Sequence, residues 1–358
     1  MMHSSYKSLI GKKLSENIMS AKGVLLIPAN TVLLEGHIAQ LEQFHISEYD
    51  IHVDDTEEEA ASGEEHFAES REVKLGAEKA ADGIGVNETG AKLQSMETVI
   101  LKTGKIPLAE VEEEILPAMI EMTKNRNIYN LFAELRDGGN EDFKHSIRVS
   151  YIAAMIGRWL QLDEPELALL VTGVSFCDIG LLKLPSELQE KRTTLMPHEH
   201  EIRKQHTVLG YELLKESGMD HRAALVALQH HEREDGSGYP TGLRGTQIDQ
   251  FSKIAALADA YVDMTTDRPE HPRLPFYQVI EALHQDVLRG RFDFFIGLTF
   301  LNRLMSSQIG SDVILSDERR GKILLVNANY PSCPVITING EVVDLSKTKE
   351  LKIAEVIG

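Results

Sequence analysis

The stretch AALVALQHHEREDGSGYP, residues 223–240, joins an apolar helix-forming run (Ala223 to Leu228) to two adjacent histidines, His230 and His231, and a glycine-rich loop ending in Pro240. Neighbouring side chains on a helix diverge by ~100°, so paired histidines both reach metal ions only in a crowded multi-metal pocket. Outward from this stretch, apolar residues recur at helical spacing from about Ile106 to Ser307, as in Val111, Ile115, Leu116, Met119, Ile120 and Met122, and in Val149, Ile152, Ala153, Ile156 and Leu160. The pattern predicts an all-helical domain over residues 96–309. After Gly310 it changes to β-branched runs (Val313 to Leu315, Lys322 to Val326, Val335 to Ile338, Glu341 to Leu345), and Asn339-Gly340 between the last two is a hairpin signal. A small β extension is therefore expected over 310–358.

Upstream, residues 1–53 hold two short apolar runs, Val24 to Ile27 and Thr31 to Leu34, a helical pattern at Ile38 to Phe44 and a β-like Tyr49 to Val53. They read as a small α+β regulatory unit, since no cluster of catalytic residue types falls there. Residues 54–95 are polar and acidic (DDTEEEAASGEEHFAES from Asp54) and read as a partly helical linker. The expected fold class is thus mainly α, with a multi-helix domain between a small α+β domain and a small β extension.

Composition narrows the function. A chain of 358 residues suggests two or three domains, and 42% hydrophobic with 26% charged residues is an ordinary globular balance. The net charge of −19 argues against non-specific binding of DNA or RNA. No run nears ~18 consecutive apolar residues and the N-terminus lacks a signal-peptide core, so no membrane association and a cytoplasmic location are expected. Two cysteines, Cys177 and Cys333, agree with a reducing compartment.

Nine of the fourteen histidines fall between positions 145 and 284. Glu141 and His145 are four apart and share a helix face. Asp178 follows the apolar Leu167 to Val174 and is either a helix-end cap or a carboxylate held by something positive. His206 begins an amphipathic helix, where a partly buried structural histidine is the plainer reading. Asp259 and Asp263 lie four apart on an otherwise apolar helix, a face that wants a cation. Together, Glu141, His145, Asp178, His206, His230, His231 and Asp259 are N and O donors on separate helices, the way helical proteins build di-metal sites. Imidazole with carboxylate suits iron, manganese or zinc better than calcium or Cu(I).

HSIRVS from His145, CDIG at Cys177–Gly180, HTVLG from His206, HHEREDGSGYPTGL from His230 and ALADAYVDMTTDRP from Ala256 occur in that order, and over roughly residues 105–307 the chain resembles the HD-GYP phosphodiesterases. The resemblance implies an HD-type helical domain that hydrolyses cyclic di-GMP to linear pGpG and/or GMP with a metal-activated water at two or three divalent ions, iron or manganese. It implies metal ligation by His145, Asp178, His206, His230, His231 and Asp259, with Asp178 bridging, Glu141 serving an additional ion, and Cys177 filling the place of the histidine that precedes this aspartate. Asp178 and His206 are the implied catalytic pair, and Arg268, Tyr239 and Gly238 the implied substrate contacts. Diguanylate cyclase domains docking on the Gly-Tyr-Pro loop and a homodimer are the candidate partnerships. Three departures from the family pattern, Cys177, Leu181 for a lysine and Glu234 for a tryptophan, leave two readings: an active phosphodiesterase, or a weakened member acting as a cyclic di-GMP sensor or scaffold.

Overall fold

Side-chain patterning decides which elements form, and the computed structural model places them as follows. It describes residues 9, 12–15, 18–19, 25–27, 33, 41, 51–54, 86–125, 141–189, 195–267, 272–348 and 350–357. The chain divides into two compact units, residues 1–79 and 80–358.

In the first unit, β1 (Lys13–Leu14) pairs with β4 (Val53–Asp54) and β2 (Ile18–Met19) with β3 (Leu25–Ile27), both antiparallel. Leu14, Ile18, Leu33, Leu41 and Ile51 form its apolar cluster. Apart from Leu41, the helix expected at Ile38 to Phe44 lies outside the described residues, as does most of the acidic segment.

The second unit begins with α1 (Val86–Thr103), which starts within the segment read as a linker and buries Met96 and Ile100 beyond it. A π-helical turn at Val111–Ile115 leads into α2 (Leu116–Asn125). Then follow α3 (Glu141–Trp159), α4 (Glu164–Ser175), α5 (Pro197–Lys204), α6 (His206–Glu216), α7 (His221–Gln229), α8 (Gln250–Thr265), α9 (Phe276–Leu288) and α10 (Phe294–Ser306). Aspartates start four of them: Asp163, Asp220, Asp249 and Asp293 each accept backbone N–H bonds from the first turn of α4, α7, α8 and α10. α3 packs on α4 and α8, and α7 on α4, α6 and α8, which gathers the helix ends bearing the candidate donors.

Among the described residues, one helical stretch, Glu164–Lys183, is long and apolar enough to cross a membrane by length and composition. Its Leu167, Leu170, Val171 and Val174 are buried in the core formed with the neighbouring helices.

Five antiparallel strands close the unit in the order β8-β7-β6-β5-β9: β5 (Asp312–Leu315), β6 (Arg320–Asn327), β7 (Tyr330–Ile338), β8 (Glu341–Asp344) and β9 (Ile353–Val356). The expected hairpin is present: Ile338 pairs with Glu341, and Asn339 and Gly340 have φ of 50° and 87°, the left-handed pair a two-residue turn requires. β9 was not expected from the sequence. Val313, Leu315, Ile323, Ile336, Ile338 and Ile353 join the helices in one apolar core, and His284 of α9 lies 2.7 Å from Ser332 Oγ of β7.

Candidate metal centre

Three aspartates and four histidines are drawn together by the turns that end α4 and α7, the start of α6 and the packing of α3 on α8. α4 stops at Ser175, and a turn through Phe176 and Cys177 delivers Asp178 to a 3-10 segment, Ile179–Lys183. Asp178 stands at its cap position without making a side-chain cap bond, which removes the helix-end reading. Its Oδ1 instead lies 3.3 Å from His206 Nε2 and 3.7 Å from His230 Nε2. Gly180 lets this segment lie on α6: a Cβ there would fall far inside contact distance of the His206 carbonyl and the Gly210 amide. α7 ends at Gln229, so His231 leaves the helix path and its ring comes to 4.0 Å from that of His230 instead of diverging. On the other side, packing of α3 against α8 sets His145 Nε2 2.9 Å from Asp259 Oδ1. Asp263, one turn along α8, has Oδ1 3.9 Å from His145 Nδ1.

The donor atoms fall into two clusters, Asp178 with His206, His230 and His231, and His145 with Asp259 and Asp263; within each, all the offered atoms lie within 4.8 Å of one another. Asp259 reaches both, Oδ1 at His145 and Oδ2 3.9 Å from His231 Nδ1. His206 Nδ1 is 2.7 Å from the Arg203 carbonyl, and His230 Nδ1 is 3.1 and 3.0 Å from those of Val226 and Ala227. A carbonyl only accepts, so both Nδ1 atoms donate, which leaves each Nε2 facing Asp178. Those two nitrogens are 3.5 Å apart. Imidazole nitrogens and a carboxylate converging in this way fit a cation, and a backbone carbonyl holding the far nitrogen is how ligating histidines are oriented. The donor chemistry therefore fits divalent metal ions.

Without ions the same groups compete for protons. Burial would lower His145, but the hydrogen bond to Asp259 and its charge raise it to about 9. Burial opposes ionisation of Asp178, yet His206 and His230 hold it well below the usual carboxylate range. His231 is pushed well down by burial and by His230. Burial, then the charges of Asp178 and Asp259, push the Cys177 thiol well above its normal value. Cys177 is 2% exposed, belongs to the apolar core and falls in neither donor cluster. The side chain of Glu141, the first residue of α3, and the whole of Arg268 lie outside the described residues.

Over the first cluster sits the loop that follows His231. Glu232, 1% exposed, accepts at Oε1 from Thr241 N (2.8 Å), Thr241 Oγ1 (3.0 Å) and Gly242 N (3.2 Å), and at Oε2 from Leu243 N (3.0 Å). Gly238 lies so close to the backbone of His231–Arg233 that a Cβ would clash with it. Tyr239 stacks on His231 with ring centroids 4.6 Å apart, and Lys204 Nζ stands 5.4 Å from the Tyr239 centroid. Glu234 pairs with Lys253 of α8 at 2.9 Å. Sequence reasoning missed Glu232 and left Asp263 out of the ligand set. The signals were a carboxylate directly before a glycine-rich loop, and the four-residue spacing from Asp259.

Comparison with known proteins agrees with this geometry. The family model described as HD domain matches residues 118–295. The chain is 35% identical over 167 residues (44% of this chain, 43% of the relative) to the cyclic di-GMP phosphodiesterase response regulator RpfG of Xanthomonas campestris. It is 36% identical over 165 residues (44% and 43%) to a cyclic di-GMP phosphodiesterase of Thermotoga maritima. With the 3'3'-cGAMP-specific phosphodiesterase 1 of Vibrio cholerae it shares 32% identity over 169 residues (47% and 39%). The chain thus spans less than half the length of these curated relatives. With the HD domain over 118–295 and the paired histidines followed by the Gly-Tyr-Pro loop, the chain belongs to the HD-GYP family.

Proposed function

We propose that this chain is a metal-dependent phosphodiesterase that hydrolyses cyclic di-GMP to linear pGpG and/or GMP, with water as the nucleophile. The observation that carries the reading is the convergence of Asp178, His206 and His230 on one point, beside the second cluster at His145 and below the Tyr239 loop. Two or three divalent ions, iron or manganese, suit these nitrogen and oxygen donors, with Glu141 placed by resemblance at the additional ion. Such ions supply Lewis acidity and lower the pKa of water. The chain's own residues do the rest. Asp178, kept ionised by His206 and His230, fixes the negative side of the pocket, and Tyr239 offers an aromatic face for a guanine. Gly238 permits the close loop path that sets the ring there. Arg268 is assigned by resemblance to the phosphate or base. Hydrolysis breaks one P–O3′ bond, forms a P–O bond from water, and passes a proton to the leaving 3′ oxygen.

One observation favours the second reading, a sensor or scaffold: Cys177 lies outside both clusters with its thiol held protonated, so one family ligand is absent from its usual place. The relative that acts on 3'3'-cGAMP makes the choice of cyclic dinucleotide part of the same question. Docking of diguanylate cyclase domains on the Gly-Tyr-Pro loop, homodimerisation and a cytoplasmic location complete the proposal. The test is product chromatography after anaerobic incubation of metal-loaded protein with cyclic di-GMP or 3'3'-cGAMP, with chelated protein and Asp178→Ala as controls. Linear product that disappears in both controls supports the enzyme; tight binding of cyclic di-GMP with no turnover supports the sensor.

A further inference from the structure

We propose that Asp263, and not Cys177, completes the ion position formed by His145 and Asp259. The assignment rests on the metal-binding part of the functional reading and goes beyond the ligand set that resemblance implies.

Two residues of this chain compete for that place. Cys177 precedes Asp178 and would bring sulfur. Its side chain is packed in the apolar core and its sulfur joins neither donor cluster, so it behaves as a small hydrophobic residue. Asp263 lies one helical turn beyond Asp259, and residues four apart on a helix share a face. Its carboxylate lies near the same ring: Oδ1 of Asp263 is 3.9 Å from Nδ1, Oδ1 of Asp259 is 2.9 Å from Nε2, and one ligand atom from each of the three residues lies within 4.8 Å of the others. Donors bound at ~2.0–2.2 Å to one ion stand roughly 3–4 Å from each other. Three offered atoms within 4.8 Å therefore need only rotamer-scale adjustment to share an ion.

Exposure adds a second difference. Asp259 is 10% exposed in its side chain and Asp263 44%, so this position runs from the buried interior to solvent. An ion there is reachable by water and by a phosphate. A set of one imidazole and two carboxylates carries two negative charges and no sulfur, which favours harder divalent ions such as Mn(II) and Fe(II) over thiophilic ones. Loss of an imidazole at 177 is thus offset on a different helix, by a residue that no short motif around position 177 reveals.

The experiment uses the full chain, stripped of metal and reloaded anaerobically with Mn(II) or Co(II), and reads bound metal per chain, affinity and the Co(II) absorption spectrum. Asp263→Asn, nearly isosteric at a half-exposed position, is expected to bind one ion fewer than the parent, or to bind it at least ~10-fold more weakly. Asp263→Glu should keep it. Cys177→Ser should bind as many ions as the parent, and the Co(II)-loaded parent should show no sulfur-to-cobalt charge-transfer band. Full stoichiometry and parent affinity in Asp263→Asn, or a sulfur-to-cobalt band in the parent, overturns the assignment. The band is read on unsubstituted protein and so does not depend on any variant folding. A parent that binds no ion at all defeats the functional reading itself; a parent that binds several, with Asp263→Asn equal to it, defeats only this inference.

Discussion

Replacing Glu232 should loosen the loop above the metal centre by an amount the structure allows to be worked out. Its carboxylate is buried and accepts from three backbone amides and one hydroxyl between Thr241 and Leu243. Glu232→Gln keeps an oxygen for the three donors now at Oε1 but turns an NH2 group towards Leu243 N–H. One charge-assisted bond is lost and two donors oppose each other, a destabilisation of about 2 kcal/mol. Glu232→Ala leaves all four donors without their acceptor; at ~1–3 kcal/mol for each buried donor, and with water entering the vacated space, about 4 kcal/mol is expected. Hydrogen exchange at Thr241, Gly242 and Leu243, alongside urea unfolding, measures both. If opening is local, the Gln variant should exchange there roughly 30-fold faster, since ~1.4 kcal/mol is a factor of ten, and the Ala variant faster still. Unchanged exchange in Glu232→Ala, with unfolding within ~0.5 kcal/mol of the parent, would refute the role given to this carboxylate.

Gly180→Ala places a Cβ against the backbone of His206 and Gly210, neither of which can swing aside, so it should cost about 3 kcal/mol and reduce bound metal by displacing Asp178; thermal unfolding and elemental analysis check it. Burial pushes His284 below the usual imidazole pKa against an opposing Asn329 backbone contact, so the unfolded chain binds the proton more readily. Its contribution is constant above about pH 6.5 and turns destabilising as pH falls below that value, and His284→Leu should flatten this part of the profile; identical pH profiles for parent and variant in urea unfolding would contradict it. A chain starting at residue 80 should bind as many ions as the whole protein, because both clusters lie in the second unit, and a lower metal count in the folded shorter chain would show otherwise.

Periodicity and turn chemistry carried most of the fold. Val149, Ile152 and Ile156 mark the buried face of α3, and Asn339-Gly340 marks the hairpin because few other residue pairs accept two positive φ values. Asp178 and Asp259 stood out because an ionisable group beside an apolar helical stretch conflicts with its surroundings, and His230 and His231 because they are adjacent, whereas His145 and His206 gained weight only as members of the set. What stayed hidden depends on contacts between distant segments. Asp178 could equally have been a cap until α6 and α7 were docked on it. The convergence of His230 and His231 depends on α7 ending at Gln229, a difference of a single residue. Asp263 matters only through His145 on another helix, and β9 is too short and too mixed in polarity (Ile353, Ala354, Glu355, Val356) to stand out from a tail until it pairs with β5.

The most direct test of the metal centre is the number of transition-metal ions bound per chain in protein purified anaerobically, measured by elemental analysis before and after titration with Fe(II) or Mn(II). Two adjoining clusters that share Asp259 predict at least two ions per chain, falling when Asp178 or Asp259 is replaced by alanine. Folded protein that carries only trace metal and takes up none on titration would contradict the account.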